Sequence, residues 1–141
     1  MRHPLSRHLI LTVAFFGSAA MPLSAQSKPI LRLQPLAFAA LPAAVRAGLV
    51  RIGCSVPQSY LAKTPENATA GSFTRRGVKE WAVLCSLNGV SEILIFNIAS
   101  PEPVSRLGRL PDGNFVQVVG PGRTGYSRRI STVPALSLIH I

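Results

Sequence analysis

Hydrophobic positions divide the chain into stretches of different period. Leu9 to Ala20 is a continuous apolar run behind a basic start (Arg2, Arg7), and Pro22-Leu23-Ser24-Ala25 follows it. This three-part pattern predicts a secretory signal over residues 1–25, with the mature chain beginning near Gln26. The run is shorter than the roughly 20 apolar residues of a membrane span, so no stable span is expected after cleavage; the competing reading is an uncleaved anchor. Residues 26–40 are apolar and punctuated by Pro29 and Pro35, an extended lead-in with room for an edge strand. From Leu41 the spacing turns helical: Leu41, Val45, Gly48, Leu49 and Ile52 recur at three and four residues. Pro42 suits the first turn, Gly53 the stop and Arg51 the negative end, which predicts a helix over 42–52.

Beyond a polar loop ending at Gly71 the period becomes two. Ser72 to Arg75 reads as a short strand, Glu80 to Leu87 as a longer one, and Asn88-Gly89 as a type I′ turn into a strand from Val90 to Asn97. A two-residue turn sets the register, placing Leu87 opposite Val90, Cys85 opposite Glu92, Val83 opposite Leu94 and Trp81 opposite Phe96. Both faces are then mostly apolar. The hairpin is expected mid-sheet, with Trp81, Val83, Leu84, Ile93, Leu94 and Phe96 as its core, covered by the helix on one side and further chain on the other. Pro101, Pro103 and Pro111-Asp112-Gly113 read as a connection, Asn114 to Val119 as a strand, and Gly120 to Gly125 as a flexible loop. The expected fold class is α+β: an N-terminal helix packed on an antiparallel sheet of four or more strands, in one domain over 41–135 that is incomplete at its C-terminal end. Residues 136–141, Leu-Ser-Leu-Ile-His-Ile, resemble the translation of the mosaic-end adapter of transposase-prepared sequencing libraries, which implies that they are not natural sequence.

Composition changes this picture mainly through histidine. The chain has 141 residues, 15 Lys and Arg against 5 Asp and Glu, a formal charge of +10, and 3 His. His3 and His8 fall in the signal and His140 in the adapter-like tail, so residues 26–135 contain none. A Ser/His/Asp triad, a Cys/His dyad or a histidine metal site cannot be built there. No catalytic residue, metal site or cofactor is therefore expected. The carboxylates are Glu66, Glu80, Glu92, Glu102 and Asp112, with no pair spaced for acid/base work. Arg75-Arg76 and Arg128-Arg129 are the basic pairs, other cations are scattered, and Trp81 and Phe96 read as core, so nucleic acid is not the expected partner. A solvated basic surface with some attraction to anionic envelope polymers is. Asn67-Ala68-Thr69 matches a glycosylation acceptor, and Gly120 to Gly125 lacks the ending of a phosphate-binding loop.

Two cysteines in an exported chain predict a disulfide, Cys54 to Cys85; the alternative is two buried thiols. Their spacing is not that of a redox-active pair.

Gly53-Cys54-Ser55-Val56-Pro57-Gln58, Gly71-Ser72-Phe73, Trp81-Ala82-Val83-Leu84-Cys85-Ser86 and Gly125-Tyr126-Ser127-Arg128 form an ordered set. In that set the chain resembles a group of small exported bacterial proteins, which implies a periplasmic or extracellular location and no particular activity. The segment from Gly71 to Val83 is also similar to a blade of the FG-GAP repeat family. Arg75 and Arg76 stand where its acidic calcium ligands would be, so that resemblance implies a strand-turn-strand without calcium.

The expected function is a non-enzymatic binding or structural module of the bacterial envelope, with an envelope protein or anionic polymer as partner. Two alternatives stay open: a small periplasmic enzyme whose catalytic groups lie beyond Ala135, and an inhibitor docking on a secreted hydrolase through Pro111 to Gly125.

Overall fold

A computed structural model describes residues 29–132. The signal expected over 1–25 and the adapter-like residues 136–141 lie outside them. Strands make up 41% of the described residues and helical turns 16%, and the strands form sheets of two, four and two. The class is mainly β. This corrects the expected α+β arrangement of an N-terminal helix on one sheet, because two stretches read as connection and loop, 103–111 and 120–125, are largely strand.

The first small sheet pairs β1 (Arg32–Leu33) with β2 (Val56–Pro57), and a 3₁₀ turn over Pro35–Ala37 leads toward the helix. That helix, α1 (Ala43–Ile52), starts after Pro42 and stops at Gly53, whose φ of 78° lets its N–H reach back to the Leu49 and Val50 carbonyls. Val45, Gly48 and Leu49 form its buried stripe. No side chain fits at position 48, because the Pro101 carbonyl oxygen lies 2.0 Å from where a Cβ would stand.

The central sheet has the order β3 (Ala68–Gly71), β4 (Glu80–Leu87), β5 (Val90–Asn97), β6 (Pro103–Pro111), all antiparallel. Asn88 (φ 51°) and Gly89 (φ 76°) make the β4–β5 turn, as type I′ geometry requires, and the register is Leu87↔Val90, Cys85↔Glu92, Val83↔Leu94, Trp81↔Phe96. The strand expected over Ser72 to Arg75 lies earlier, at β3. Gly71 is why: with no Cβ it leaves room for the Phe73 ring, which folds back over it instead of extending along a strand. β6 was hidden by its prolines. Pro103 and Pro111 occupy its two ends, and on an edge strand a missing N–H faces away from the ladder.

After β6, Asp112–Phe115 makes a 3₁₀ turn, and β7 (Val116–Gly120) pairs with β8 (Arg123–Tyr126) in the third sheet. Asn114 and Phe115 thus belong to the turn, and the supposed flexible loop is a hairpin around Pro121-Gly122, with Gly122 at φ 62°.

The inner face of the central sheet carries the main core. Val83, Cys85, Leu94 and Phe96 meet Phe38, Leu41, Val45, Leu49 and Val56, with half-buried Trp81 against them. Each fully buried side chain of this kind contributes roughly 1.5–3 kcal/mol. The Cys54–Cys85 disulfide joins the residue after the helix stop to β4, with Cα atoms 5.4 Å apart. Beside it Ser55 and Ser86 exchange backbone hydrogen bonds at 3.1 and 2.8 Å. The outer face buries Ala82, Leu84 and Ile95, leaves Ile93 half-buried, and is covered in part by Tyr126 and the stretch 128–131.

Candidate functional site

All five carboxylates of the chain lie in the described residues, and each has a partner within the molecule. Glu66 pairs with Arg129 (3.1 Å), Glu92 with Arg106 (2.7 Å), Glu102 with Arg51 and Asp112 with Arg32 (2.8 Å). Glu92, opposite Cys85 in the hairpin, is half-buried in an ion pair with β6. The fifth, Glu80, forms no ion pair among the described residues and is only 2% exposed. No grouping of three His, Cys, Asp or Glu side chains that could hold a metal occurs among the described residues.

Asp112 is the centre of a buried polar network between the central sheet and the third. The Ser86 hydroxyl and Arg32 donate to one of its oxygens, and the Tyr126 hydroxyl approaches the other at 3.4 Å. Ser91, opposite Ser86 across the hairpin, shares a 2.9 Å hydrogen bond with Tyr126. Arg128 closes the group: it donates to Ser91 Oγ and the Ser91 carbonyl (both 3.0 Å) and to the Gly108 carbonyl (2.6 Å), and its guanidinium lies over the Phe115 ring. Burial pushes the Asp112 carboxyl up, but Ser86, Arg32 and Ser91 pull it further down, leaving it below its ordinary value. Burial, with the Asp112 charge, raises the Tyr126 phenol. No buried side-chain nitrogen or oxygen among the described residues lacks a hydrogen-bond partner, and the network fastens the layers together.

Glu80 does something different. It begins β4 opposite Gly71, the last residue of β3, and accepts hydrogen bonds from the connection between them: Phe73 N–H (2.7 Å), Thr74 N–H (2.8 Å) and the Thr74 hydroxyl. The Thr74 hydroxyl, then the two N–H groups and nearby Arg75, outweigh burial and hold the carboxyl below its ordinary value. Next comes a tight turn in which Val78 N–H bonds the Arg75 carbonyl at 3.2 Å and Gly77 sits at φ 79°. Arg75, Arg76 and Lys79 project from it exposed, with no ion pair among the described residues. A depression of about 180 Å³ lies alongside, lined by Thr74, Arg75, Val78, Glu80, Asn97 and Val104. On the outer face a shallow apolar groove of about 460 Å³ runs between Phe73, Ile95, Leu107 and Ile130.

The side chain of the glycosylation-acceptor match, Asn67-Ala68-Thr69, is occupied inside the protein. Asn67 is 1% exposed, with φ 70°; its amide donates to the Pro57 (2.7 Å) and Arg128 (3.3 Å) carbonyls and accepts from Ile130 N–H (2.9 Å). The anchoring role of Glu80 was not read from sequence, although an acid opening an apolar strand behind a Gly-containing loop was its visible signal. Compared with family models, curated proteins and solved structures, the chain finds no match.

Proposed function

We propose that the chain is a non-enzymatic binding module of the bacterial envelope, exported to the periplasm or beyond, that attracts anionic polymers. One observation carries this reading: the carboxylates turn toward the protein's own groups, and exposed cations stand without ion-pair partners among the described residues. Unpaired cations on a surface of one sign raise the local concentration of anions and speed their association. The disulfide is consistent with export, since such bonds persist in oxidising compartments. No helix among the described residues is long and apolar enough to cross a membrane. Pro111 to Gly125 forms a turn and a hairpin, so an inhibitory contact there would be made by a structured element, and no observation favours it over polymer binding.

The test is titration of the oxidised protein with linear polyphosphate over a series of salt concentrations. Binding whose affinity falls steeply as salt rises is expected. Absence of binding at about 50 mM salt, where such contacts are strong, would overturn the reading.

A further inference from the structure

Among the described residues, the exposed cations without ion pairs include one cluster. Lys63, Arg109 and Arg123 are exposed singly, on the β2–β3 connection, β6 and β8, whereas Arg75, Arg76 and Lys79 fall within one connection. That connection is held at three places. The β3–β4 ladder fixes its ends, the Arg75–Val78 hydrogen bond closes its corner, and the buried Glu80 carboxylate ties down Phe73 and Thr74 immediately before the first arginine. We infer that this connection, residues 73–79, is the recognition site for a phosphate-bearing polyanion, and that Glu80 is its positioning residue. The inference rests on the binding-module reading above.

The chemistry fits at each position. Guanidinium groups present planar forks that match phosphate oxygens two at a time, and two adjacent on a tight turn can engage neighbouring phosphates of one chain; Lys79 adds a point charge. A loop already ordered in the free protein loses less entropy when it binds. Glu80 provides that order without an ion pair among the described residues: its buried oxygens bond N–H and O–H groups, and its charge reaches Arg75 only through space. A bilayer fits less well, since a flat surface would reward cations spread over a broad face more than three on one turn.

Two matched variants separate the loop from general charge. R75A/R76A/K79A and K63A/R109A/R123A each remove three exposed cations; the first is expected to weaken polyphosphate binding by about tenfold or more and to flatten its salt dependence, the second by less than about threefold. Equal weakening would sink the loop assignment while leaving the binding-module reading intact; no binding by the unaltered protein would sink both.

Glu80→Gln and Thr74→Val test positioning. Glu80→Gln raises the net charge, so charge alone would tighten binding; weaker binding is expected, because both Glu80 oxygens accept from the loop and an amide keeps only one acceptor, the other becoming a donor. Tighter binding overturns the positioning role. Should Glu80→Gln fail to fold, Thr74→Val decides, since Thr74 is exposed and its replacement leaves the charge unchanged: weaker binding supports the role and unchanged binding overturns it. Vesicles rich in phosphatidylglycerol, bound more tightly than polyphosphate at equal phosphate concentration, would overturn the polymer assignment.

Discussion

The Pro101 carbonyl oxygen stands 2.0 Å from the place a Gly48 Cβ would occupy, so the connection between β5 and β6 rests directly on the backbone of α1. In an exposed helix, Gly→Ala would stabilise by about 1 kcal/mol. Here the colliding atom is backbone, which cannot swing aside. Gly48→Ala is therefore expected to destabilise by about 1–3 kcal/mol despite its helix propensity. A lower urea midpoint with an unchanged slope is the measurement; a higher midpoint would refute the close packing.

Reducing the disulfide opens a loop spanning 31 residues of sequence. In the chain-entropy model such closure stabilises by about 3–4 kcal/mol. Paired urea titrations with and without reductant are expected to show that difference. Two titratable thiols in the unreduced, denatured protein would contradict the bridge.

Stability should fall at both extremes of pH for opposite reasons. Asp112 and Glu80 have folded pKa values below their ordinary 3.8 and 4.5, so each contributes stability that is complete above those values and lost as pH falls through the folded ones. Tyr126 has a folded pKa above its ordinary 10.0; its contribution is complete below 10.0 and is lost as pH rises through the folded value. Tyr126→Phe should blunt the alkaline loss and leave the acid loss in place. A thermal midpoint that stays flat below pH 4 would contradict the carboxylate assignments.

Asn67 combines a left-handed backbone with three hydrogen bonds, and two substitutions separate these contributions. Asn67→Gly keeps the conformation and loses the bonds, with an expected cost of about 1–3 kcal/mol. Asn67→Ala adds the strain of a Cβ at positive φ, about 1–2 kcal/mol more. Equal effects would show that the backbone shape carries no cost at this site.

The parts of the fold legible in sequence are those that local periodicity decides. Val45, Gly48 and Leu49 mark the helix face unaided, and Asn88-Gly89 specifies a turn whose register carries through to Trp81 and Phe96. β6 was missed because proline was read as a breaker, while its effect depends on whether the strand lies at an edge, which only the assembled sheet decides. The Glu80 anchor and the Asp112 network were illegible for another reason. The partners of Asp112 include Arg32 and Ser86, far away in sequence, and Glu80 joins a loop whose shape follows from Gly71 yielding space to Phe73.

Arg128 has a consequence for the company the molecule keeps. β6 forms one edge of the central sheet for nine residues, and an exposed edge of that length invites another strand and, with it, aggregation. Near its middle the ladder slips register, Gly108 turns to φ 59°, and Arg128 takes the Gly108 carbonyl for itself. With proline at both ends, few consecutive backbone groups remain in line for a neighbouring strand to read. The side chain that fastens the outer layer therefore also blunts the β6 edge of the sheet.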